Sequence, residues 1–240
     1  GGQHGYPAYV TSDMIQKWPY ATDAGGIDTC NMPFVGAVAP GGANGVEIVM
    51  TNPYNQATTA ITDFILTVQM ATDADASNVA STTQARCENA AASDPAGGWS
   101  YAQSGQVCNS TRYRVIDRYQ FGTGVDSTTV GDTSIAGRAS WSGTCDKEYG
   151  YMAGGGYPPT DVIDRFQFGA SSNSSDVGNL TRSTWGGGPV SSNTAGYFQG
   201  GWATSDIIQK YFHNSSNDAA NVAVTSRRKD ASASYGIPDA

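Results

Sequence analysis

Apolar residues along this chain come in short runs whose alternation has a period of two. In "VIDRYQF", Val115, Asp117, Tyr119 and Phe121 fall on one side of an extended segment and Ile116, Arg118 and Gln120 on the other, as a β-strand requires. Both sides carry apolar groups, the mark of a strand sandwiched between neighbouring sheets rather than one with a wet face. No segment shows a 3.6-residue period with helix caps, and Gly or Asn-Asp-Ser clusters interrupt the chain about every ten residues. The pattern predicts an all-β protein.

The strand-like segments recur. "TSDMIQKW" at 11–18 returns as "TSDIIQKY" at 204–211, and between them stand "AITDFILTVQMATDA", "YRVIDRYQFG" and "TDVIDRFQFG". Aligned on one isoleucine, the five copies are anchored at Ile15, Ile65, Ile116, Ile163 and Ile208, with spacings of 50, 51, 47 and 45 residues. A block containing Gly-Tyr precedes the anchor in "YGYMAGGGY" and "AGYFQGGW", with "HGYPAYV" as a worn version. Another follows it in "DVGNLTRSTW" and "VGDTSIAGRASW". A period near 45–50 residues with about four short strands per unit predicts a propeller, and glycine pairs beside aromatics suit the kelch type. The expected architecture is a single domain, residues 1–240, forming a five-bladed kelch-like β-propeller with about four antiparallel strands per blade. The worn "GY" start and the terminal "KDASASYG" are complementary, so residues near 230–236 and 5–18 are expected to share one blade and close the ring.

Composition narrows the function. Net charge is −8, from 21 acidic and 13 basic residues, which disfavours nucleic-acid phosphate as a partner. No apolar run reaches the 18 or so residues of a membrane helix, so a soluble chain without membrane insertion is expected. Gly1 in place of Met suggests a processed product or a piece of a longer chain. Cys87 and Cys108 flank the turn-like "DPAGG" at 94–98 and would face each other if a hairpin formed in that register, with two buried thiols as the alternative. Cys30 and Cys145 show no such symmetry, and the redox compartment stays open.

The segments from Tyr113 onward, above all "GYMAGGGYPPTDVIDRFQFGASSNSSDVGNLTRSTWGGG" and "GYFQGGWATSDIIQKYFHNSSNDAANV", resemble the kelch-like repeats of tail-fibre and other virion proteins of marine bacteriophages. The first two copies lack the Gly-Gly pair and the "VGDLT" piece, which puts their loop conformations in question. The resemblance implies a structural or host-surface-binding part of a virion or extracellular appendage, and it carries no catalytic residue to transfer.

Two repeated residue sets are candidates for binding. Arg86, Arg138, Arg182 and Arg227 follow the third block in four copies and would make a crown for an anion or acidic sugar, or else tie loops between blades. Tyr157 and Trp202, with Tyr9 in the worn copy, follow the glycine pairs and would either stack on sugars or cap blades. Asn109, Asn173, Asn179 and Asn214 begin N-x-Ser/Thr triplets that composition alone accounts for. Metal and cofactor chemistry finds little support. His4 and His213 are the two histidines, no cysteine pair has zinc spacing, and Asp73 and Asp75 begin a calcium-like loop without its glycine or glutamate. A glycoside hydrolase would need paired carboxylates. Glu47, Glu88 and Glu148 sit in no strong motif, Asp117 and Asp164 belong to the repeat, and no GxSxG elbow is present. The expected function is therefore non-enzymatic: recognition of cell-surface glycan or assembly with other virion or filament subunits. A propeller glycosidase or a secreted cellular lectin is the alternative.

Overall fold

In a computed structural model, residues 4–5, 12–19, 25–37, 41–72, 74–107, 111–135, 143–156, 158–201 and 205–229 are described. Among them every regular element is a strand. Four consecutive four-stranded antiparallel sheets form the blades. Blade I consists of Gly41–Ala43, Glu47–Thr51, Phe64–Gln69 and Ser77–Ser81; blade II of Ala90–Asp94, Trp99–Gln103, Val115–Gln120 and Thr128–Asp132. Blade III consists of Gly143–Cys145, Tyr149–Ala153, Thr160–Gln167 and Ser175–Thr184; blade IV of Gly188–Ser191, Ala195–Gln199, Ser205–Phe212 and Ala220–Lys229. Within each, strands pair in chain order, and the first strands of successive blades lie side by side.

The propeller expectation holds, but with four blades rather than five. The first copy supplies its anchor strand Ser12–Pro19, the following strand Ile27–Ala37 and the two-residue strand His4–Gly5. Its sheet is extended instead by the small hairpin Tyr54–Asn55/Ala60–Ile61, borrowed from a blade I loop. The closing segment expected at 230–236 lies outside the described residues.

One irregularity explains the anchor. In all five copies the pairing with the following strand slips immediately after the anchor isoleucine, at Ile15/Gln16, Ile65/Leu66, Ile116/Asp117, Ile163/Asp164 and Ile208/Gln209. The slip leaves one extra residue on the outer strand: Thr29, Val79, Val130, Val177 and Val222 in turn. A bulge sharpens local twist and re-aims the side chains around it. Here it follows an isoleucine that is buried in four of the five copies, and from blade I onward it leads to the position that reaches the preceding sheet.

Two glycine features follow from packing. Gly150 and Gly196, the glycines of the "GY" block, pair across the sheet with Phe166 and Tyr211, whose rings fold back over them; an added Cβ would run into those rings. The glycine pairs adopt left-handed backbone, with φ of 66° and 136° at Gly154 and Gly155 and 71° and 105° at Gly200 and Gly201. Blade II keeps this turn with Ser104 and Gly105, at φ of 57° and 108°, and blade I keeps its first residue, Asn52, at 55°. The amides of Asn52, Ser104, Gly154 and Gly200 all donate to the residue before the anchor. That backbone bond therefore persists in blades I and II without a glycine pair.

Candidate functional site

The residue after the anchor is where charge meets packing. Asp117 lies fully buried in blade II and its carboxylate accepts bonds from Thr83 N (3.1 Å), Thr83 Oγ1 (2.8 Å) and Thr129 Oγ1 (3.0 Å). Thr83 belongs to the linker leaving blade I, so these bonds cross the junction. Arg86, from the same linker, places Nη1 3.0 Å from Asp117 Oδ2 and donates from Nη2 to the Ala102 carbonyl at 3.2 Å. Burial lowers the Arg86 pKa, and the adjacent Asp117 charge opposes that shift. A buried pair of this kind is tolerable because nearly every lone pair of the carboxylate has a donor.

The same device recurs with different chemistry. Asp164 of blade III accepts from the amide of Ser134 at 3.0 Å and from its hydroxyl. Gln209 of blade IV accepts from Thr181 N at 2.6 Å and Thr181 Oγ1 at 2.8 Å. A second tie lies on the loop entering each outer strand. Asp75, Asp126, Asn173 and Asp218 accept from the backbone amides of Asn31, Ser81, Asp132 and Asn179 in the preceding sheet, at 2.8–2.9 Å. In each case the next residue's amide also donates to that same partner's carbonyl. Asp75 thus serves as a staple between sheets; Asp73 lies outside the described residues.

Two arginines of the expected crown, Arg86 and Arg182, lie among the described residues, and their surroundings differ. Arg86 is fully buried in the Asp117 pair, the tying role, whereas Arg182 is exposed on the outer strand of blade III. The reason is register: Arg86 stands three residues after its tying threonine, Thr83, and Arg182 one residue after Thr181. Arg227 lies on Ala220–Lys229, and its side chain is outside the described residues, as are Arg138, Tyr9, Tyr157, Trp202 and Cys108. Cys87 forms an antiparallel backbone bridge with Gln106. The hairpin pairs Asp94 with Trp99, a register centred one residue earlier than a Cys87–Cys108 pairing needs. Burial raises the Cys145 thiol pKa to about 11.

Three features had no clear signal in the sequence. Basic residues two places after the anchor stack on aromatic rings: Arg118 over Trp99 at 4.2 Å, Arg165 over Tyr149 at 4.7 Å, and Lys210 over Phe212 at 4.5 Å and Tyr197 at 5.7 Å. His213 takes the place filled by Phe168 one blade earlier, stacking on Tyr151 with centroids 4.5 Å apart. Burial lowers its pKa to about 4, against a smaller opposing effect of Asp146. Glu88, on the linker between blades I and II, has φ of 57° and a pKa raised by burial, with an opposing hydrogen bond from Gln106 Nε2 at 2.7 Å.

No protein-family model matches this chain, and no curated protein gives a significant match. Solved structures do: the chain is similar to the structure described as "Structure of YjhT", with a TM-score of 0.77 and 10% sequence identity, covering 98% of this chain and 87% of that one. In all, 220 solved chains match. At that identity the likeness shows the fold alone, and a fold so widely shared does not select a function.

Proposed function

We propose that this protein is a non-enzymatic, kelch-like recognition and assembly module of an extracellular or virion structure, such as a phage tail fibre or similar appendage. Its partners are neighbouring subunits and cell-surface glycan. The observation that supports this reading is the use made of the repeat's carboxylates. Asp117 and Asp164 are buried and engaged by hydroxyl and amide donors of the preceding blade, so both are occupied in joining blades. A glycan array run beside a polysaccharide hydrolysis screen tests it. Binding without turnover is the expected outcome, and turnover of any polysaccharide overturns it.

One observation favours a second reading, a propeller glycosidase. Glu88 combines a raised pKa with left-handed backbone, and strained, titration-shifted carboxylates gather at catalytic sites. Under that reading Glu88→Gln abolishes turnover while leaving glycan binding intact.

A further inference from the structure

We infer that the basic residue two places after each anchor forms, blade after blade, an anion-binding ladder that takes a carboxylate-bearing polysaccharide. The inference rests on the recognition reading above and names the ligand class. The position is basic in four of five copies, Lys17, Arg118, Arg165 and Lys210, with Thr67 in the remaining one. In blades II, III and IV it is half-buried and lies over an aromatic ring.

That geometry suits recognition. A guanidinium laid flat on a ring has its N–H donors in the plane parallel to the ring; in Arg118 the Nε is buried, which leaves the terminal nitrogens to meet a carboxylate. The ring also holds the fork in place, which reduces the side-chain freedom lost when a ligand binds. Among the described residues Arg118, Arg165 and Lys210 have no acidic side chain within ion-pairing distance, whereas Arg86 is already neutralised by Asp117. In blades II and III the acids of the inner hairpins, Asp94 and Asp146, are buried and hold those hairpins, accepting from Gly97 N and from Glu148 N and Tyr149 N. Beside the ladder, Gln120 and Gln167 are exposed two residues further along the same strands, on the same face of the sheet, where their amides can meet sugar hydroxyls. Repetition in three successive blades favours a polymer, since each further contact becomes intramolecular once the first has formed.

The overall charge of −8 works against any polyanion at long range. Screening within about 8 Å at physiological salt leaves the local contact to decide. Binding is therefore short-range and weakens as salt rises.

The test uses the whole chain with three polymers of matched length: a polyuronate, a sulfated polysaccharide and a neutral glucan. Affinities are read by biolayer interferometry at two salt concentrations, and thermal unfolding confirms that every variant is folded. The polyuronate is expected to bind, with Arg118→Gln and Arg165→Gln each weakening it about tenfold. Arg112→Gln removes an equal charge from an exposed site off the ladder and should leave affinity unchanged. Arg118→Lys, which keeps the charge and loses the fork, should fall between. Preference for the sulfated polymer, equal binding of the neutral glucan, equal loss on Arg112→Gln, or no polyuronate binding each overturns the ladder. Neutral glycans bound on the array without polyuronate binding would sink the ladder and leave the recognition reading standing, whereas turnover would sink the recognition reading itself.

Discussion

Two neighbouring junctions solve the same packing problem in opposite ways. Where the first sheet meets blade I, the residue after the anchor is Leu66, which joins Ile15, Cys30, Met32, Met50 and Val68 in one apolar cluster. Where blade I meets blade II, the equivalent residue is Asp117, locked to Thr83, Thr129 and Arg86. The bulge and the loop staple are present at both: Asp75 to Asn31 at the first, Asp126 to Ser81 at the second. The constant part of a junction is therefore backbone geometry plus one side-chain acceptor on the loop. What fills the space after the anchor is interchangeable, provided that a charge, once buried, has its partner.

That comparison can be broken most forcefully at the ion pair. Asp117→Ala leaves Arg86 buried without a counter-charge and is expected to cost about 3–5 kcal/mol in chemical denaturation. Arg86→Met should cost a similar amount, while Arg86→Met with Asp117→Leu copies the first junction and should recover most of the loss. Additive losses in the double variant would show that the two junctions are not equivalent.

Smaller effects sharpen the picture elsewhere. Gly150→Ala or Gly196→Ala pushes a methyl group into the Phe166 or Tyr211 ring and should lower stability by about 1–3 kcal/mol. The Tyr151–His213 stack in the last junction makes the fold acid-sensitive. Burial lowers the His213 pKa to about 4 from an ordinary 6.5, so between those values the unfolded chain binds the extra proton and stability falls with falling pH. The loss should reach about 1–2 kcal/mol at pH 5, and His213→Phe, restoring the ring of the previous blade, should flatten that part of the pH–stability curve. An unchanged curve would mean that the imidazole is already solvated. Cutting one staple, Asp126→Ala, is expected to cost about 0.5–1.5 kcal/mol, seen as faster amide exchange at Ser81 and Ser127.

Much of this architecture is legible in the sequence because one physical event, the bulge after the anchor, recurs beside an isoleucine each time, opposite a β-branched residue. Anchor spacings of 50, 51, 47 and 45 are also the spacings of the bulged residues Thr29, Val79, Val130, Val177 and Val222. The inner strands are harder to read. Segments such as Ala90–Asp94 and Gly143–Cys145 are short and built of small residues, so they leave no alternation to follow. Five anchors therefore accompany four blades, since an anchor strand is visible wherever it occurs whether or not two inner strands accompany it. Alignment by residue type and alignment by register part company at the arginines. Arg86 and Arg182 look alike in the sequence but differ by two positions relative to their tying threonines, which separates a buried tie from a solvated side chain. The basic residues that do align, Arg118, Arg165 and Lys210, follow directly on Asp117, Asp164 and Gln209, and a strand's alternation sends the two neighbours to opposite faces.

The central claim is that the buried charges hold the blades together and take no part in chemistry or ligand contact. Its most direct test places the wild-type chain and the Arg86→Met/Asp117→Leu variant side by side on one glycan array, with unfolding temperatures measured on the same samples. Identical binding profiles from two folded proteins are predicted. A folded double variant that has lost its ligand would place the pair inside the binding site and contradict the account.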